Sequence, residues 1–272
     1  MTLEEPIPVF LSHDVDWGKA GAPRQHVIAR RSRFNEAVMD KLDEKNPYQN
    51  IREIMEIEEK HGLRSTFFFR TRMDTQHPPP SYDLQEYRAE IRSMVSGGWE
   101  VGLHSDHLSI QQSQSLTDEK NLLEDISGTT ILGNRTHYTV GVERHDSLFS
   151  NLRRAGIKYD SSIKYCRDQV TERDCMSFGI DGLRVFPITI MDALIFTDLV
   201  DEGDVLRRLQ QVVDLCKGLP RGRVLTILWH NCSLKMRFGR KYPKVVEYLA
   251  STDDVTVKTG EGLLGIFNGN PV

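Results

Sequence analysis

The chain has 272 residues, 39% of them hydrophobic and 27% charged, the proportions of a globular protein able to bury a large core. A formal net charge of −4 gives no electrostatic footprint for nucleic acid, and no apolar run approaches the roughly 18–20 residues that cross a bilayer. The opening Met1-Thr2-Leu3-Glu4-Glu5-Pro6 lacks the apolar core of a signal peptide, and Cys166, Cys175, Cys216 and Cys232 show no C-x-x-C spacing; a cytoplasmic protein with reduced thiols is expected.

Ile7-Pro8-Val9-Phe10-Leu11 reads as a short buried strand, and the acids Asp14 and Asp16 follow it. Side chains alternate along a strand, so both acids project to one face while His13 and Val15 take the other. A long polar insertion covers residues 17–50. Ile51, Ile54, Met55 and Ile57 then recur at helical spacing, with Gly62 placed to end the helix. Further strands are expected at 65–69, 99–104, 129–133, 157–161, 182–187, 223–229 and 254–258. Helices are expected at 82–96, 117–127, 146–155, 203–217 and 243–250, with a loop at Pro78-Pro79-Pro80. Alternating strands and helices imply a mainly parallel sheet, and the strand number suits a barrel formed by a single domain over 1–272. The polar stretch 163–180 reads as a second insertion, crossing the barrel mouth.

Residues able to do chemistry recur at the carboxyl ends of these strands, which in a barrel share one rim. Asp14 and Asp16 end the first strand, and His104 ends the third with His107 three residues on. Arg135, His137 and Tyr138 follow the fourth, Asp160 ends the fifth, and His230 and Asn231 end the late strand. His104 and His107 can face one cation if a helical turn begins at Ser105, with Asp16 as a third ligand and an open position for water. Asp14 could then take a proton from that water, Arg135 would orient Asp14 by pairing with it, and His230 could protonate a leaving amine. Trp17, His137, Tyr138, Asp160, Trp229 and Asn231 are the expected substrate-contacting residues.

The order of these motifs resembles the polysaccharide deacetylase family, that is, carbohydrate esterase family four or the NodB homology domain. Phe10-Leu11-Ser12-His13-Asp14-Val15-Asp16-Trp17 resembles its first motif in an Asp-x-Asp variant, and Ser65-Thr66-Phe67-Phe68-Phe69 its Ala-Thr-Phe-Phe strand. Gly97-Gly98-Trp99-Glu100-Val101-Gly102-Leu103-His104-Ser105 resembles its metal-histidine motif, and Gly133-Asn134-Arg135-Thr136-His137-Tyr138 its arginine motif. Leu225-Thr226-Ile227-Leu228-Trp229-His230 is similar to its last motif, and Tyr159-Asp160-Ser161-Ser162 to the segment between. Two positions depart from the pattern. The family's metal histidines are four apart, which places the second on Leu108 rather than His107, and the proline two residues after the arginine is here His137.

The resemblance implies a distorted (β/α) barrel, usually of seven strands. It implies a divalent metal, zinc first and cobalt, nickel or manganese as alternatives, and removal of an N-acetyl group from an amino sugar. It points to a small or lipid-linked N-acetylated precursor, as in surface (O-antigen-like) polysaccharide synthesis. A hydrolase of a non-sugar amide, or a catalytically impaired barrel that binds a sugar or protein partner, would carry much of the same pattern.

Overall fold

The computed structural model describes residues 5–71, 82–138, 145–167, 169–195 and 202–268. The loop expected at Pro78-Pro79-Pro80 lies outside them. Strand β1 (Ile7–Val15) is buried over nearly all its length and organises the sheet. One edge pairs with β9 (Leu225–Leu228). The other pairs with β10 (Val255–Lys258) at its start and with β2 (Thr66–Arg70) at its end, all in parallel. The sheet continues through β3 (Glu100–Ser105), β4 (Gly133–Thr136), β5 (Tyr159–Asp160) and β7 (Leu183–Val185), again in parallel. Strand β6 (Phe178–Ile180) adds an antiparallel edge to β7, and β8 (Ile190–Met191) pairs with β9.

One extended segment closes the barrel. Residues 183–191 pair with β5 at their start and with β9 at their end. Between these ladders Phe186 N donates to Asp160 O (2.9 Å), Ile188 N to Ile163 O (2.7 Å) and Thr189 N to Thr226 O (3.0 Å). Counting this segment as one stave, the barrel has seven: β1 to β5, the segment, and β9. Among the described residues the sheet has ten strands, more than the expected seven, because that stave is split into β7 and β8, while β6 and β10 are additions.

The helices are α1 (Arg24–Ala29), α2 (Glu36–Met39), α3 (Ile51–Lys60), α4 (Arg88–Ser96), α5 (Ser113–Ser127), α6 (His145–Arg154), α7 (Asp192–Ile195), α8 (Glu202–Lys217), α9 (Tyr242–Ser251) and α10 (Gly260–Asn268). Helix α3 buries Ile51 and Ile54 on the expected face, and Gly62 follows it at φ 68°. The described residues hold no helix long and apolar enough to cross a membrane. Within the insertion at 17–50, α1 and α2 close over a small core containing Ala22, Val27, Phe34 and Tyr48.

The barrel interior is divided between an aromatic floor and a polar mouth. Phe10, Phe68, Tyr159 and Phe186 form the floor, and α10 contributes Leu263 and Phe267 to it. The floor demands glycine on neighbouring strands. A Cβ at Gly133 would stand 2.0 Å from the Tyr159 ring, and one at Gly102 2.5 Å from Phe68. Strand β4 begins four residues later than the strand expected at 129–133, because Gly128, left-handed at φ 74°, ends α5 and residues 129–132 serve as connection. The shift places Arg135 inside the strand.

Candidate active site

Period-two alternation sorts β1 into two faces. Phe10 packs into the aromatic floor, and Asp14 on the same face meets Arg135 of β4. His13 faces outward, to Glu58 of α3. Arg135 is buried and fully committed. Its Nη1 donates to Asp14 Oδ1 (3.0 Å), Nε to Ser161 O (2.9 Å) and Nη2 to Ser161 Oγ (2.8 Å), and its carbon centre lies 4.5 Å from the Phe68 ring. Asp14 is therefore held at Oδ1, while Oδ2 lies 3.7 Å from His104 Nε2.

Asp16, His104 and His137 bring one donor atom each within 4.8 Å of one another. His104 Nδ1 donates to the Arg135 carbonyl (2.8 Å), which fixes the tautomer and leaves the Nε2 lone pair facing Asp16 Oδ1 at 3.3 Å. A divalent cation between them would be held by both, and about 3.3 Å is also the spacing of tetrahedral zinc ligands. His137 Nε2 lies 4.0 Å from the same carboxylate oxygen. Asp16 Oδ1 and His137 Nδ1 are buried without hydrogen-bond partners. Burial, with the charges of His104 and Arg70, takes the His137 ring down to about 3 against the pull of Asp16, so it is neutral at pH 7. Burial works to raise the Asp16 carboxyl, but His104 beside it and the charge of His230 hold it well below the usual carboxylate range. A carboxylate and two imidazoles fit a borderline divalent cation.

His107 does not join this cluster. The expected helical turn after His104 is absent, since β3 runs on through Ser105 and the next helical turn begins only at Ser109. Its Nδ1 lies 3.7 Å from Asp106 Oδ1, and its ring lies 5.9 Å from that of Tyr138. His137, expected as a substrate contact, occupies the third corner instead. His230 lines the same cavity from the end of β9, the strand paired with β1, its Nδ1 2.7 Å from Asp192 Oδ1, while its backbone N–H and Ser233 Oγ both bond Asp192 Oδ2. Burial disfavours the charged ring, but Asp192 outweighs it, with Asp16 and Asp14 adding to the pull, and His230 rises to about 10.

These groups line a cavity of about 190 Å³ whose remaining wall is apolar, from Ile188, Met191, Leu194 and Leu228. Tyr138, 54% exposed and left-handed at φ 63°, lines the mouth with Arg167. Four of the expected substrate contacts lie outside the lining. Trp229 is wholly buried, its ring 5.2 Å from Tyr242, because β9 alternates its side chains and this one falls on the helix side. Asp160 is buried too and accepts from Asn134 Nδ2 (2.8 Å) and Ser162 Oγ (2.7 Å), bracing β4 against β5. Trp17 packs on His26 and Tyr48 in the insertion, and Asn231 is buried beside Asn50, whose amide donates to its carbonyl. Asp192 and Arg167 were missed. A rim acid after a two-residue strand carries almost no periodic signal, and Arg167 lies in irregular chain.

No family model matches the chain, and no curated protein matches it. Solved structures do. A Mycobacterium smegmatis protein assigned to the polysaccharide deacetylases superposes with TM-score 0.63 at 15% identity, over 99% of this chain and 93% of its own. One from Pseudomonas aeruginosa with the same assignment gives TM-score 0.63 at 14% identity, over 94% and 88%. A CE4 family pseudoenzyme from Bacillus anthracis gives TM-score 0.50 at 14% identity, over 96% and 66%. The chain thus has the distorted barrel fold of the polysaccharide deacetylases, the fold expected from its motifs.

Proposed function

We propose that the protein is a metal-dependent amide hydrolase that removes an N-acetyl group from an amino sugar or glycan precursor. The observation that carries this reading is the convergence of Asp16, His104 and His137 beside Asp14, in a fold shared with solved structures that are named as deacetylases. Asp16, His104 and His137 would hold the cation, zinc in first place. When bound there, it would polarise the amide carbonyl and acidify water.

The chain's own residues supply the rest. Asp14, with Oδ1 fixed by Arg135, has Oδ2 turned toward the metal-site histidine and free to accept a proton from water. His230, charged at neutral pH through Asp192, lines the same cavity and donates its proton to the departing amine. The apolar wall of Ile188, Met191, Leu194 and Leu228 accommodates the acyl methyl group and keeps water from it. A barrel that only binds its ligand would have no need of a base and an acid lining one cavity with the cation site. The remaining expectations, one domain over 1–272 and a role in surface polysaccharide precursors, are consistent with this chemistry.

The test is turnover on a panel of N-acetylated sugars and small amides, measured as free amine after zinc loading. The reading requires acetate release from at least one sugar and its loss in Asp14→Asn. Ligand binding with no turnover on any member would contradict it.

A further inference from the structure

The cavity is small for a sugar. At about 190 Å³ it falls below the roughly 300–1,000 Å³ of pockets that enclose a drug-sized ligand, so the acyl group enters and most of the sugar stays at the mouth. What the mouth presents therefore decides which sugar is accepted.

Two arginines at this end of the barrel have no acid partner among the described residues. Arg167 is exposed and lines the cavity. Arg70 is buried, with Nε and Nη2 unpartnered, at the end of β2 in register with His104 and on the same strand face as Phe68. By contrast Arg135 is neutralised by Asp14 at 3.0 Å. Guanidinium groups do not titrate in the working range, so both charges are permanent. Asp14 is paired with Arg135 and Asp192 with His230, so among the described groups of the cavity Asp16 is left to face a divalent cation and these two arginines, although the whole chain is net negative at −4. The local field therefore favours an anion.

We propose that the substrate is an N-acylated sugar carrying a phosphate or carboxylate, and that Arg167 binds that anion at the mouth while Tyr138 lies along the sugar. Arg70 adds to the field from behind the cation site and makes no contact with the substrate. The proposal rests on the amide hydrolase reading for the sugar, but its charge preference can be tested apart from turnover.

The test is calorimetric binding to metal-free and zinc-loaded protein of three probes: N-acetylglucosamine, its 1-phosphate, and N-acetylglucosaminuronic acid. The charged probes bind at least tenfold more tightly than the neutral one, and whichever of the two binds better identifies the anion. Arg167→Ala removes that advantage, roughly tenfold, and costs the neutral sugar less than the charged ones. Arg167→Lys restores part of it. Because Arg167 is exposed, both variants fold, and unchanged zinc uptake verifies this. Equal affinity for charged and neutral probes, or an equal loss for all three in Arg167→Ala, would overturn the proposal. Charge-dependent binding without turnover would leave the anion site standing and remove the hydrolase. Turnover of the neutral sugar with no charge preference would do the reverse.

Discussion

The two faces of β1 bury charge in opposite ways. On the outer face, His13 Nδ1 meets Trp229 O (2.8 Å) and Nε2 meets Glu58 Oε1 (2.8 Å). Glu58 also accepts from Ser65 Oγ (2.8 Å), Trp99 Nε1 (2.7 Å) and Tyr242 OH (2.5 Å). Each of these polar atoms has a partner within the protein. On the inner face, one strand position further on from Val15, Asp16 Oδ1 and His137 Nδ1 have none. Buried polar groups without partners are costly, and a cation held by Asp16, His104 and His137 would give the Asp16 oxygen the partner it lacks.

Breaking the inner face tests function while sparing the fold. His137→Ala removes a ligand and abolishes stoichiometric metal, whereas His107→Ala retains it; mass-spectrometric metal content reads both. Asp14→Asn keeps the metal and cuts turnover by about 10²–10⁴-fold, the contribution expected of a general base. That ratio is measured against wild type at saturating sugar.

Breaking the outer face does the opposite. Glu58→Ala leaves His13 without its buried carboxylate and costs about 3–5 kcal/mol, read as a fall in the urea midpoint, with the inner-face ligands untouched. The smallest effect is the tuning of His230. Its charged form is stabilised by Asp192, so the associated stability is fully present below about pH 6.5 and is lost as pH rises through about 10. Asp192→Asn brings the His230 midpoint down toward its ordinary value, as an NMR titration of the imidazole in metal-free protein would record, and flattens that part of the stability profile.

The sequence made the inner face legible where a strict period carried it. Asp14 and Asp16 were placed by alternation along β1, His104 by its place at the end of a clear strand, and Arg135 by the motif around it. His107 went wrong for a physical reason. An H-x-x-H pair implies a shared site only on a helix, and the backbone stays extended through Ser105. His137 sits two residues after Arg135, which is the spacing that returns a side chain to the same face of a strand. That spacing suits a cation ligand as well as the substrate contact expected of His137. Trp229 and Asp160 illustrate the opposite limit. Adjacency to a rim does not place a side chain in the cavity, since every second residue of a strand points away from it. The seam at 183–191 was half visible, because its apolar run spans a break in the ladder that only the closed barrel creates.

The most direct test of the account is metal content of the purified chain, isolated without chelator or a histidine tag, compared with His104→Ala, His137→Ala and His107→Ala. The account predicts close to one zinc-like cation per chain in the wild type and in His107→Ala, and none in the other two. Metal kept by His137→Ala but lost by His107→Ala would contradict the site described here.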